Sequence, residues 1–188
     1  MPRPPAPARP ARAAWSTRRA EHVAGRPRPA ADAQTPRVYD RQIVLVASTF
    51  NRPLTSRLLQ GAARALSDAG IPRRNQQVIW VPGAFELPVV AARIAQGSPR
   101  PDAIIALGVL IRGETSQYQV IAHAVAQGLS QLAVSAVVPV TFGVVIADTA
   151  AQARARAGGA QGNRGAEAAH AAVAVLHLFD RLGPEGPE

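Results

Sequence analysis

From residue 40 onward the chain alternates short apolar runs with segments of helical periodicity, and nothing else in the sequence limits the fold as strongly. Residues 43–47 (IVLVA) are a continuous apolar run of the kind found in strands buried on both faces. Asn51 is placed as an N-cap, with Pro53 in the first turn of a helix. Leu54, Leu58, Leu59, Ala62 and Leu66 then recur at helical spacing until Gly70. Residues 78–81 read as a strand, Pro82-Gly83 as a turn and residues 86–96 as a helix. Residues 102–110 (DAIIALGVL) are the clearest buried strand. A helix over about 115–134 follows, then a strand over 139–146 and helices over 149–157 and 165–182. Strand–helix alternation of this kind gives a parallel sheet covered on both faces and joined by right-handed crossovers. Ligands of such sheets bind in the loops beyond the carboxyl ends of the strands.

Composition narrows the chemistry. There is no cysteine, which removes disulfides and thiolates, and a cytoplasmic setting is the expectation. All 21 basic residues are arginine. No side chain can therefore form an imine with a carbonyl substrate. No apolar run approaches the roughly 18 residues of a membrane span.

The net charge of +9 is unevenly spread. Residues 1–37 hold eight arginines against Glu21 and Asp32, a net of +6 that leaves +3 for the rest. This Pro/Ala/Arg-rich stretch has too few large apolar side chains to offset the entropy of ordering and reads as a disordered tail. A transit peptide or a nucleic-acid-binding arm is the alternative, and a solvated tail is preferred. The expected organisation is a tail over 1–37, one domain over 38–183 and a disordered C-terminus over 184–188.

Four loops carry the polar chemistry, three of them directly after strands. In the first, Phe50 precedes Asn51 at a helix start, where an aromatic ring stacks on a planar heterocycle or plugs the helix–sheet seam. In the second, Gly83 allows close backbone approach, and Glu86 is an acceptor for hydroxyls or a first-turn acid. The third, Gly108 to Tyr118, sets Glu114, Thr115 and Ser116 at a helix N-terminus, the pattern of an anion cradle or of an ordinary cap. The fourth, Arg156 to Gly165, is a flexible glycine-rich loop with two guanidinium groups suited to phosphate, or a mobile connector.

Taken together, the motifs at Phe50–Ala62, Trp80–Pro88 (WVPGAFELP), Ala106–Thr115 (ALGVLIRGET), Pro139–Val144 and Arg156–Gly165 resemble the lumazine synthase family over residues 40–182. The resemblance implies a flavodoxin-like, three-layer αβα sandwich around a central, mainly parallel four-stranded sheet. It implies a transferase of riboflavin biosynthesis that condenses 5-amino-6-ribitylaminouracil with 3,4-dihydroxy-2-butanone 4-phosphate and uses no metal or cofactor. It further implies that Phe50 stacks on the pyrimidine and that Asn51, Ala84, Phe85 and Glu86 line the pocket for its ribityl and polar ring atoms. Leu110 and Ile111 offer backbone groups, and Glu114 and Thr115 hold phosphate. Phe142 and Arg156 reach in from a neighbouring subunit, and Arg164 stands where the family commonly has lysine. The partners implied are further copies of the chain, as a homopentamer or a 60-subunit shell, with riboflavin synthase as a possible companion.

The sequence departs from the family pattern at Gln117, where a proton-transferring histidine is expected. An amide does not titrate near neutrality. Loss of a general acid–base costs about 10²–10⁴-fold, and a smaller loss is expected where holding two reactive partners together does most of the work. His123 lies too far along its helix to replace it and reads as a packing histidine. His170 and His177 lack the further ligands a metal needs. The rival reading is a catalytically weakened shell subunit or a flavin- or lumazine-binding protein.

Overall fold

The computed structural model describes residues 38–183. The expectations for residues 1–37 and 184–188 lie outside the described residues. Four strands, β1 (Ile43–Ser48), β2 (Gln76–Val81), β3 (Ala103–Ile111) and β4 (Val140–Ala147), form one sheet in the order β2-β1-β3-β4. Every pairing in it is parallel. The order places β1 at the point where the chain, after β2, crosses to the opposite side of the sheet.

Burial explains the two kinds of strand. Central β1 is buried at all six positions, as is β3 at its first eight. A strand covered on both faces needs an unbroken apolar run. Edge strand β2 leaves Gln77 and Val78 exposed and can carry polar residues.

Alternate side chains of β1 and β3 feed two separate cores. Ile43, Leu45, Ala47, Ile105 and Leu107 pack with Leu58 and Leu66 of α1 (Arg52–Asp68), Ala153 of α4 (Ala150–Arg156) and Leu176 of α5 (Arg164–Leu182). Val44, Val46, Ile104 and Ala106 pack instead with Leu87 and Ala91 of α2 (Leu87–Ala95) and Val125 and Leu129 of α3 (Gln117–Ser135). Each fully buried leucine or isoleucine is worth roughly 2–3 kcal/mol of transfer free energy. This is the three-layer sandwich expected from the sequence. The helices α1 and α5 approach closely because position 165 is glycine: a Cβ there would strike the backbone of Leu58.

Several expectations change in detail. The second helix is preceded by a 3-10 turn over Ala84–Glu86, so its α-helical part starts at Leu87. The third starts at Gln117 and not at 115. Asn51 occupies the N-cap position but does not cap, because its side chain is spent elsewhere. The glycine-rich segment expected to be a flexible loop is a short antiparallel hairpin, β5 (Ala157–Gly159) with β6 (Gly162–Asn163). Gly158 and Gly162 at φ of 85° and 78° permit its turns. The Asn163 side chain then caps α5 by accepting from the amides of Gly165 and Ala166.

At the amino end of the sheet, Arg41 is buried between Asp102, just before β3, and Asp180 on α5. The Asp102 bond is 2.7 Å. Burial alone would weaken the guanidinium's hold on its proton. The hydrogen bonds and charges of the two aspartates outweigh that and raise its pKa above the ordinary arginine value.

Candidate active site

A cavity of about 520 Å³ opens beyond the carboxyl ends of β1, β2 and β3, at the switch point of the strand order. That is the place and the size expected for a small-molecule site in an open parallel sheet. Three segments build it.

The loop after β1 runs against the segment after β2. The Thr49 and Phe50 amides donate to the carbonyls of Val81 and Pro82 at 2.8 and 3.1 Å, and the Thr49 hydroxyl donates to Pro82 at 2.8 Å. Phe50 is thereby held on the cavity wall with 70% of its surface exposed. This excludes the seam-plugging reading. A ring left in water at a pocket mouth is available to stack.

The segment after β2 contributes Pro82, Gly83, Ala84, Phe85 and Glu86. One Glu86 carboxylate oxygen accepts from the Gly83 amide at 2.7 Å and closes the 3-10 turn. Phe85 is 60% exposed.

The segment after β3 contributes Val109, Leu110, Ile111, Gly113 and Thr115, and α3 adds Gln117, Tyr118 and Ile121. Tyr118 donates to Asp148, beyond β4, at 3.0 Å. Arg112 stands 4.0 Å from the same carboxylate. Tyr118 and Ile121 were not anticipated as walls. Their spacing of one helical turn on the Gln117 face is the signal that would have found them.

Nine anticipated residues thus meet at one cavity: Phe50, Asn51, Ala84, Phe85, Glu86, Leu110, Ile111, Thr115 and Gln117. Four do not line it. Glu114 is exposed in the segment between β3 and α3. Phe142 lies half-buried in β4 against the core on the α2–α3 side. Arg156 and Arg164 flank the hairpin, where both pair with Glu167 at 3.3 and 3.0 Å. Arg156 also donates to the Gln161 carbonyl at 3.1 Å. Glu167 was missed as the residue that gathers these guanidiniums. Its i,i+3 spacing from Arg164 was the available clue. His123 is exposed with Nδ1 2.7 Å from the Gln119 carbonyl, one turn back on its own helix.

Residues 40–180 match the 6,7-dimethyl-8-ribityllumazine synthase family. This chain belongs to that family. It is 50% identical over 149 residues to the 6,7-dimethyl-8-ribityllumazine synthase of Gemmatimonas aurantiaca, covering 79% of this chain and 90% of the relative. It is 41% identical over 143 residues to the enzyme of the same name from Leuconostoc mesenteroides, covering 76% and 91%. The match takes in all four strands of the main sheet and every loop that lines the cavity. No described helix is long and apolar enough to cross a membrane.

Proposed function

We propose that this chain is a transferase of riboflavin biosynthesis that condenses 5-amino-6-ribitylaminouracil with 3,4-dihydroxy-2-butanone 4-phosphate to 6,7-dimethyl-8-ribityllumazine. The observation that carries the proposal is the gathering of eight motif residues, with Gln117, at one switch-point cavity in a chain of this family. Phe50 stacks on the pyrimidine, and Ala84, Phe85 and Glu86 receive its ribityl chain and polar edge. Backbone groups of Leu110 and Ile111 meet the ring, and Glu114 and Thr115 meet the phosphate.

The substrate amine attacks the ketone, water leaves and an imine joins the two substrates. A chain without lysine requires that arrangement. Phosphate is then expelled and the ring closes with loss of a second water. Oriented reactants gain effective molarities on the order of 10⁵ M or more, which supplies most of the acceleration. Gln117, which we assign to the position of the family's histidine, positions by hydrogen bonding and transfers no proton. Protons move through water or the departing phosphate. No metal or organic cofactor enters the scheme.

Phe142, Arg156 and Arg164 are assigned to the site of an adjoining subunit, with Arg156 on the phosphate. Two features support a homo-oligomer, pentameric or larger. These side chains do not line the chain's own cavity. At and near the cavity, Phe85 of the 3-10 turn, Val89 of α2 and Val120 of α3 each expose 60–68% of their surface, more than large apolar side chains meant for water normally show. The cytoplasm is the proposed location, and contact with riboflavin synthase is a further proposal.

Purified protein incubated with both substrates tests the activity through the product's absorbance. A rate equal to the uncatalysed background rejects it. Light scattering behind size-exclusion chromatography tests assembly, and a monomer that turns over would refute the shared site.

A further inference from the structure

Among the described residues, Asn51 is the only non-glycine residue with a positive φ (58°, ψ 36°). It immediately follows Phe50. Its carbonyl accepts from the Leu54 and Thr55 amides at 2.9 and 3.1 Å and so starts α1. Its side chain, free of capping duty, donates from Nδ2 to the Val109 carbonyl at 3.0 Å.

That carbonyl has a specific need. Along β3 the backbone groups alternate between the two neighbouring strands. The amides of Ile104 and Arg112 donate toward the β4 side, to Pro139 and Ala147, both at 2.9 Å. Val109, an odd step away, points toward β1. The β1–β3 register ends at Ala47 and Leu107, so no β1 rung lies opposite Val109. The Asn51 amide takes the place of that missing rung. It ties the loop bearing Phe50 to the strand that forms the cavity floor.

We infer that Asn51 is the positioning residue for Phe50: its left-handed backbone turns the loop and its amide latch on Val109 fixes the ring over the cavity. The inference rests on the proposed function. It assigns Asn51 an action through Phe50 and the cavity wall, in place of recognition by its own side chain.

Three variants test it in the assembled, full-length protein, assayed with 5-amino-6-ribitylaminouracil and 3,4-dihydroxy-2-butanone 4-phosphate. Asn51→Gly keeps the left-handed turn and loses the latch. Asn51→Ala loses both. Asn51→Asp tolerates the turn but presents only acceptors to a carbonyl. The KM for the pyrimidine should rise about threefold in Asn51→Gly and about tenfold in Asn51→Ala, reflecting the added cost of a left-handed alanine. The KM for the phosphorylated ketone and kcat should hold near the parent values. Asn51→Asp should bind the pyrimidine more weakly than Asn51→Gly, and this pair decides the matter if the alanine variant does not fold.

A side chain that merely contacted substrate through its oxygen would reverse the order, with Asp better than Gly and Gly no better than Ala. Either reversal, or an unchanged KM in all three variants, overturns the inference while the proposed function stands. A parent protein with no condensation above background removes the proposed function and the inference together.

Discussion

The two ends of the sheet use the same side chain in opposite ways. At the amino end, Arg41 has 10% of its side chain exposed and two aspartates in contact. It joins the approach to β1, the start of β3 and the end of α5 into one ion cluster. At the carboxyl ends of α4 and the start of α5, Arg156 and Arg164 remain 38–39% exposed and share the single carboxylate of Glu167. A guanidinium surrounded by acceptors and removed from water is committed to the fold. One that shares an exposed acceptor keeps donors for a ligand and gives up little by changing partner. One end of the sheet is thus built for cohesion and the other for exchange.

The largest effect is expected from Arg41→Met. It leaves two partly buried aspartates without their cation and should lower the unfolding free energy by about 3 kcal/mol. Urea denaturation measures this, and turnover per folded molecule should stay within about twofold. Equal midpoints for variant and parent would erase the contrast between the two ends. The same pair of proteins carries a pH prediction. A cation whose folded pKa is raised stabilises at all pH below its unfolded value, and the contribution disappears only as pH rises through the folded value. For arginine that window lies in strong alkali. The stability difference should therefore be flat between about pH 6 and pH 9, and a difference that shrank across that range would contradict it.

Arg156→Ala should do the reverse. We expect about a hundredfold loss in kcat/KM for the phosphorylated ketone, as for removal of a charged phosphate contact, with melting nearly unchanged. A large drop in melting temperature with intact turnover would move Arg156 to the structural side of the comparison.

Phe50→Ala removes an exposed ring and should raise the KM for the pyrimidine about tenfold through lost stacking. Differential scanning calorimetry should find no loss of stability, because the ring is not part of either core. Gln117→His is expected to have the smallest effect, a gain of a few-fold in kcat with a new inflection in the pH–rate profile. A gain of a hundredfold or more from near zero would instead favour the rival reading of a shell or ligand-binding protein.

The four strands were legible because each is an apolar run bounded by turn residues, and the loops that matter follow from which end of a parallel strand a ligand can reach. The wall residues from Trp80–Pro88 and Ala106–Thr115 were legible for the same reason. The hairpin of Ala157–Asn163 was not. Strands of three and two residues carry no periodicity, and glycine signals permitted conformations without choosing one. Asn51 stands at the N-cap as expected, but the role of its side chain was not legible, for a related reason. Asparagine suits both an N-cap and a left-handed residue, and only a carbonyl 58 positions away distinguishes them. The pairing of Arg41 with Asp102 and Asp180, at separations of 61 and 139 residues, left no local trace.

Local periodicity and the handedness of L-residues were enough, from the sequence alone, to set the strand–helix alternation, the parallel sheet and the edge on which chemistry collects. The tertiary structure decided which polar groups meet. It placed the Asn51 amide on Val109, brought Arg156 of α4 to Glu167 of α5 and buried Arg41 between two acids. Those choices depend on the register in which distant segments pack, and the energy of such contacts exists only after the strands and helices have come together.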